Sequence, residues 1–183
     1  DKAYQDLMKS AEISQEIDSK ENTAKCWHAM GNLEGQKGNY ADALNLKVKA
    51  ADLYEELDIL TSHANCWFDI AGIHQTRSNL GNALENYKKA MRVYKNLNNK
   101  AGIGLSWLQM ATIYQNTGQY DTAFNYFEKS VALFDSLKNR PNKRKALLLL
   151  GHYHLEKNNL KRAKEQFIEA LDLGKEMGIV SDQ

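Results

Sequence analysis

Proline occurs once in the 183 residues, at Pro141, and glycine only 11 times. Such scarcity leaves little room for irregular loops, so the chain reads as long helices joined by short turns. Neither sign of charge is in excess. With 24 basic and 23 acidic side chains the formal net charge is +1, which argues against a general nucleic-acid binder, normally basic on one face. Long apolar runs are also missing. The longest, Ala146 to Gly151, falls far short of the roughly 18 to 20 residues of a membrane span. No signal-peptide pattern opens the chain. There is no initiator methionine, and Ala3-Tyr4-Gln5-Asp6-Leu7-Met8 already follows a helical pattern, so we read the sequence as cut from a longer protein. What it does have is a 43% hydrophobic share, enough for a substantial core and against global disorder.

Repetition organises the rest. Trp27, Trp67 and Trp107 stand 40 residues apart, and Leu147 takes the next place. Met30, Ile70, Met110 and Leu150 follow in register, then Gly31, Ala71, Ala111 and Gly151. Further on come Ala43, Ala83, Ala123 and Ala163, then Lys47, Tyr87, Phe127 and Phe167, then Ala50, Ala90, Ser130 and Ala170. Each unit closes on Leu57, Leu97, Leu137 or Met177. Small residues at fixed sites mark where two helix backbones approach, and a large apolar residue one turn away fills the adjacent gap. The segments around Gly38-Asn39, Ser78-Asn79, Gly118-Gln119 and Asn158-Asn159 suit compact turns, because Gly and Asn tolerate the left-handed conformation that ends a helix. Pro141 suits a first helical turn. The pattern predicts helix pairs at 23–37 with 40–57, 62–77 with 80–97, 102–117 with 120–137, and 141–157 with 160–177. Before them lies the second helix of a preceding repeat, over 1–20. The repeats span 23–60, 61–100, 101–140 and 141–180 of one domain covering 1–183.

These columns resemble the tetratricopeptide repeat family, with its W-x2-L-G-x2-Y and A-x3-F pattern. The third unit carries it as Trp107-x2-Met110-Ala111-x2-Tyr114 and Ala123-x3-Phe127. The period of 40 exceeds the usual length of about 34, and the terminal proline is absent. This is similar to the long-helix variant of spindle-orientation adaptors, kinesin light chains and bacterial Rap-type or kinase-linked regulators. HEAT and armadillo repeats are the structural rival, and the alanine and tryptophan columns favour the tetratricopeptide reading. The resemblance implies an all-α, right-handed α-solenoid of antiparallel helix hairpins, about nine helices long. Glu34 and Lys47 occupy columns that are usually aromatic. Lys47 is expected to lay its stem on apolar surface with its charge in water, loosening that joint.

Chemistry-bearing residues mostly have structural explanations. Cys26 and Cys66 share a column with Ser106 and Ala146, so the site calls for a small residue, and the thiols are read as packed and reduced. Reduced thiols suit a cytoplasmic protein. The five histidines show no metal-ligand spacing. His74 and His154 fall in the Tyr114 column and read as core fillers. The tryptophans' strict period makes them core residues. No nucleophile with base and acid, and no phosphate loop, is recognisable, so no enzyme activity, cofactor or metal is expected. One basic cluster, Lys138, Arg140, Lys143, Arg144 and Lys145, sits at a helix start, where it opposes the macrodipole. It reads as a solvated run, with an acidic-tail or phosphate site as the alternative.

The resemblance further implies that the first helix of each unit lines a concave groove. Its residues would be Lys25, His28, Asn32, Gly35 and Gln36 in the first repeat, and Asn65, Phe68, Gly72, Gln75 and Thr76 in the second. Leu105, Leu108, Thr112, Gln115 and Asn116 follow in the third, and Lys145, Leu148, His152, Leu155 and Glu156 in the fourth. Phe68, Leu108 and Leu148 would form an apolar stripe, while the amides would hold a peptide backbone. A carboxylate clamp for chaperone tails needs a Lys/Asn/Arg set of which only Lys25, Asn32 and Asn65 appear. The expected function is a non-catalytic scaffold binding a protein or peptide segment, with no nucleic-acid or membrane partner. A regulatory input domain of a bacterial histidine kinase or transcription regulator, answering a ligand by a change of superhelical pitch, is the alternative. Self-association through open solenoid ends is a third expectation.

Overall fold

The computed structural model describes residues 2–179, which form nine helices and no strand. They are α1 (Lys2–Glu16), α2 (Lys20–Lys37), α3 (Tyr40–Glu56), α4 (Leu60–Thr76), α5 (Leu80–Asn96), α6 (Lys100–Asn116), α7 (Tyr120–Ser136), α8 (Arg140–Glu156) and α9 (Leu160–Glu176). The chain divides into two compact units, the first ending at Asn98 and the second beginning at Asn99. Within the first, α2 pairs with α3 and α4 with α5, while α1 lies on α2 and α3 on α4. Within the second, α6 pairs with α7 and α8 with α9, and α7 joins the two hairpins by packing on α8. The first helix of each hairpin starts one to three residues earlier than the repeat pattern suggested. The all-α fold of antiparallel hairpins is as expected.

A turn recurs every 20 residues. Asp18, Gly38, Asp58, Ser78, Asn98, Gly118, Lys138, Asn158 and Gly178 all have positive φ, between 51° and 86°. This left-handed residue lets the next N–H reach back five residues: Asn39 to the Glu34 carbonyl at 2.9 Å, Asn79 to His74 at 2.9 Å, Asn139 to Phe134 at 2.9 Å. That 6→1 bond satisfies a carbonyl the helix end would otherwise orphan. Asn79, Asn99, Asn139 and Asn159 then accept from the backbone N–H three residues on and cap the following helix. Pro141 stands in the first turn of α8, where its missing N–H is harmless. Lys138 (φ 51°) has the least suitable side chain of the series. A Cβ in this conformation costs about 1–2 kcal/mol, and glycine's chain entropy offsets part of that gain. Lys138→Gly is therefore expected to raise Tm by about 1–4 °C. Thermal circular dichroism checks this, and an unchanged or lower midpoint would refute the strain.

The small-residue columns do what their spacing implied. Ala43, Ala83 and Ala123 are wholly buried, and so are Ala50, Ala90 and Ser130. At Ser130 the hydroxyl donates to the Gly104 carbonyl at 3.0 Å, so α6 and α7 nearly touch there. A Cβ built on Gly104 would lie 2.7 Å from the Phe134 ring. Ala64 and Ala24 hold the same place one and two repeats earlier. In the last repeat the sizes are exchanged, with Arg144 in the small column and Gly174 where Tyr54, Tyr94 and Phe134 stand.

The tryptophans are at the core's margin rather than in its centre. All three are half-buried. Lys89 of α5 lies 3.0 Å above the Trp67 ring, and Lys49 of α3 stands 5.8 Å from that of Trp27. The Trp67 indole N–H donates to His63 Nε2 at 3.0 Å. The hydrogen on His63 therefore sits on Nδ1 and meets the Ala51 carbonyl at 3.0 Å. Cys66 is fully buried and Cys26 nearly so, both as free thiols. Burial pushes the Cys66 thiol up to about 12, so it is inert as a nucleophile.

Candidate functional site

The first helices of the first unit, α2 and α4, present a polar face built over a buried lysine. Lys47, on α3, is only 1% exposed. Its ammonium donates to the Asn32 side-chain oxygen of α2 and to Asp69 Oδ2 of α4 at 2.5 Å. His28, also on α2, donates from Nε2 to the same carboxylate oxygen at 2.7 Å. The Gly31 site lets the lysine stem through, since a Cβ there would stand 3.0 Å from Lys47 Cγ. Three elements are thus tied by one ion pair and its neighbours. Burial drives the Lys47 pKa down, and Asp69 only partly restores it. Burial alone would raise that of Asp69, yet the His28 hydrogen bond and the Lys47 charge hold it below the usual carboxylate range. Lys47 does not keep its charge in water, contrary to the sequence expectation: a counter-charge one repeat further on draws it inside.

The second unit fills the same three places with hydrocarbon. His28, Lys47 and Asp69 correspond, 80 residues on, to Leu108, Phe127 and Leu149. Leu108 and Phe127 are wholly buried in one cluster with Ala111, Ala123, Phe134, Ala146, Leu150 and Tyr153, and Leu149 packs against it. Leu108 is therefore core, not groove. Helix α8 of the next hairpin covers it, and an apolar stripe from Phe68 through Leu108 to Leu148 does not exist as expected.

The remaining groove candidates divide by exposure. In the first unit Lys25, Asn32, Gln36 and Asn65 are exposed, and Asp69, absent from the sequence-based set, joins them with its side chain 35% open. Lys25 pairs with Glu21 at 2.6 Å, and Asn65 accepts from the Tyr94 hydroxyl at 2.6 Å. Gln75 is half-buried and accepts from the Tyr87 hydroxyl at 2.9 Å. Phe68 is half-buried edge-on to Tyr87, centroids 5.0 Å apart. These two serve packing as much as any ligand. In the second unit Leu105 and Leu148 are half-buried, and the half-buried Thr112 hydroxyl returns to the Leu108 carbonyl of its own helix at 3.2 Å. Gln115 donates to Glu156 at 2.6 Å. Lys145 is exposed, and the exposed His152 lies edge-on to Phe167 at 5.2 Å. The structure thus gathers a coherent polar set around Asp69 in the first unit and none comparable in the second.

Two other features are structural. Glu34 is buried and held below the usual carboxylate range by hydrogen bonds from Lys37 and from Asn39. In the basic cluster, Lys143 bridges Asp135 of α7 at 2.5 Å and Glu169 of α9 at 2.8 Å, so its charge is spent holding helices together. Arg140 lies 3.5 Å from Glu176. His154 is buried and His74 half-buried, and burial lowers the pKa of both. Among the described residues no group of three or more His, Cys, Asp or Glu could hold a metal ion, and no helix is long and apolar enough to cross a membrane.

Comparison with known proteins fits this architecture. Residues 1–140 match the family described as Soluble NSF attachment protein, SNAP, and residues 145–174 match the tetratricopeptide repeat. Neither description is of a catalytic family. No curated protein matches the chain. Among solved structures, BtubC (BKLC) from P. vanneervenii superposes with a TM-score of 0.83 at 14% identity, over 96% of this chain and 73% of its own. Aspartyl phosphate phosphatase F from Bacillus subtilis gives 0.87 at 15%, over 95% and 46%. A Rap protein solved in complex with competence and sporulation factor gives 0.82 at 17%, over 94% and 48%. At such identities the likeness is one of fold, that of tetratricopeptide-like hairpins. This chain spans about half the length of the phosphatase and of the Rap protein.

Proposed function

Because the chain belongs to the soluble NSF attachment protein, SNAP, family and has a tetratricopeptide-like fold, we propose that it is a non-catalytic module that binds a protein or peptide segment on its first-helix face. The contact would centre on the polar set of the first unit. The observation that carries this reading is Lys47. A buried ion pair is weak support for stability, and apolar residues of similar volume often serve as well or better. This molecule holds that apolar solution at Leu108, Phe127 and Leu149. Retaining His28, Lys47 and Asp69 in the first unit is explained by what the half-open Asp69 and the exposed Asn32, Gln36 and Asn65 offer a ligand: paired donors and acceptors for a peptide backbone and polar side chains. The family's name describes attachment to another protein, and the Rap structure was solved with a bound factor, both consistent with recognition rather than reaction.

Selection of a displayed peptide library on the immobilised protein tests the assignment, with Asn32→Asp plus Gln36→Glu as counter-target. The carboxylate introduced at position 32 would still pair with Lys47, so the fold is expected to persist, while the face gains two negative charges. Enriched peptides are expected to lose at least tenfold in affinity on the variant, about 1.4 kcal/mol, with Tm unchanged. Equal binding to both proteins would move the site elsewhere. A second reading, a regulatory input module, is favoured by the likeness to the phosphatase and the Rap protein. A kinase or helix-turn-helix region encoded alongside this segment would decide for it.

A further inference from the structure

We propose that the amides of the first-unit face act as donors only and take the main-chain carbonyls of an extended, uncharged peptide segment, an inference that rests on that face being the binding surface. Three of its amides have their oxygens drawn inward by a buried donor. Lys47 can only donate, so Asn32 must turn its oxygen to that ammonium. Asn65 accepts from the hydroxyl of Tyr94, 4% exposed, and Gln75 from that of the wholly buried Tyr87. Burial raises the pKa of both phenols, so both keep the hydrogen they donate. None of the three amide nitrogens meets a partner among the described residues. Each NH2 group is left to the open side.

The second unit lacks this arrangement. Forty residues on, Tyr87 and Tyr94 become Phe127 and Phe134, and Asn65 becomes Leu105. Gln115, in the Gln75 column, has no phenol to meet and spends its nitrogen on Glu156. Phenylalanine therefore serves the packing in both columns, and the hydroxyls of the first unit serve to orient amides. Donors in surplus select acceptors. The lysines of the face are matched by carboxylates, Lys25 by Glu21 and Lys47 by Asp69, so no unpaired ammonium calls for an acidic ligand. A helical ligand has its carbonyls committed to its own N–H groups, whereas an extended one leaves them free. Asp69 Oδ1, unused by Lys47 and His28, is the acceptor for an N–H of the same segment.

Random linear peptides displayed as a library supply the probe, and those enriched on wild type are remade with a thioamide at each bond in turn. A thioamide replaces one main-chain oxygen by sulfur, a poorer acceptor, and makes the adjoining N–H a better donor. Sulfur at a carbonyl held by the face should weaken binding about three- to tenfold, the share of one hydrogen bond. Asn65→Asp with Gln75→Glu keeps the oxygens that Tyr94 and Tyr87 need and removes the outward N–H groups. That variant should melt as wild type does, lose at least about tenfold in affinity, and show no further loss with the thioamides. Raising salt from about 0.05 to 0.5 M should leave wild-type affinity within about twofold. Enriched peptides that are acidic, that turn helical on binding, or that bind more tightly as thioamides overturn this chemistry while the face stays a binding surface. A library that enriches nothing, or peptides that bind wild type and variant alike, overturns the face reading and this inference with it.

Discussion

Asp69→Leu is expected to lower stability by about 3–5 kcal/mol, because it leaves the Lys47 ammonium buried with no counter-charge. Lys47 is 1% exposed and would keep only its bond to Asn32. Asp69 itself is 35% open, so water relieves some of the loss and the lower end of that range applies. In a chain of this length the change corresponds to a fall in Tm of roughly 6–12 °C. The rescue is more diagnostic than the damage. His28→Leu with Lys47→Phe and Asp69→Leu copies the residues at 108, 127 and 149 of the second unit. It should recover wild-type stability or exceed it, since an apolar replacement of a buried pair is commonly neutral or stabilising. A triple variant less stable than Asp69→Leu alone would show that the polar set is a structural requirement. The reading of it as a recognition feature would then lose its support.

The pH dependence of the two proteins should separate in opposite directions. Asp69 has a lowered pKa in the folded state. It contributes stability that is present above the ordinary carboxylate value, 3.8, and is lost as pH falls through the folded value. Lys47 is also lowered, by burial, and without Asp69 it must drop further. A folded chain that sheds this proton before the unfolded chain does gains stability as pH rises toward the ordinary lysine value of 10.5. Asp69→Leu should therefore become more stable between pH 7 and 10, relative to wild type, and lack the Asp69 share of the acid loss. Urea midpoints at pH 3, 7 and 9.5 check both signs.

What could be read in advance follows from where the information lies. Helix positions and turns were legible because each column repeats at a fixed spacing and because left-handed turn residues and small contact residues are chemically narrow choices. Lys47 was misread for a related reason. In its column it stands alone among Tyr87, Phe127 and Phe167, which marks it as unusual without naming its partner. Asp69 stands in another column, beside Gln109 and Leu149, and only the packing of α4 on α3 brings the two together. A polar residue intruding in two columns whose members face each other across neighbouring repeats was the signal available. The tryptophans show the converse limit. Strict periodicity guarantees an equivalent place in each repeat, not a buried one, and the place turned out to be the core's margin, where second-helix lysines lie over the rings.

Leu108→Glu separates groove from core most sharply, and it is expected to cost more than about 4 kcal/mol. Truncating a fully buried leucine alone costs about 2–5 kcal/mol through lost transfer energy and the cavity left behind. A carboxylate in that space adds a desolvation penalty with no cation to meet it. The wholly buried neighbours, Phe127 and Phe134 among them, offer neither a hydrogen bond nor an opposite charge. In a repeat architecture each hairpin is stabilised chiefly by its neighbours, so the damage should spread through the second unit as a loss of helical signal at 222 nm. The control is one repeat further on. Leu148 occupies the same column but is half-buried, and Leu148→Glu can turn its carboxylate to water, so a loss of about 1 kcal/mol is expected. Equal and small effects at both positions would return Leu108 to an open face and restore the apolar stripe. A large effect at 108 with a small one at 148 places the boundary of any binding surface where the buried cluster ends.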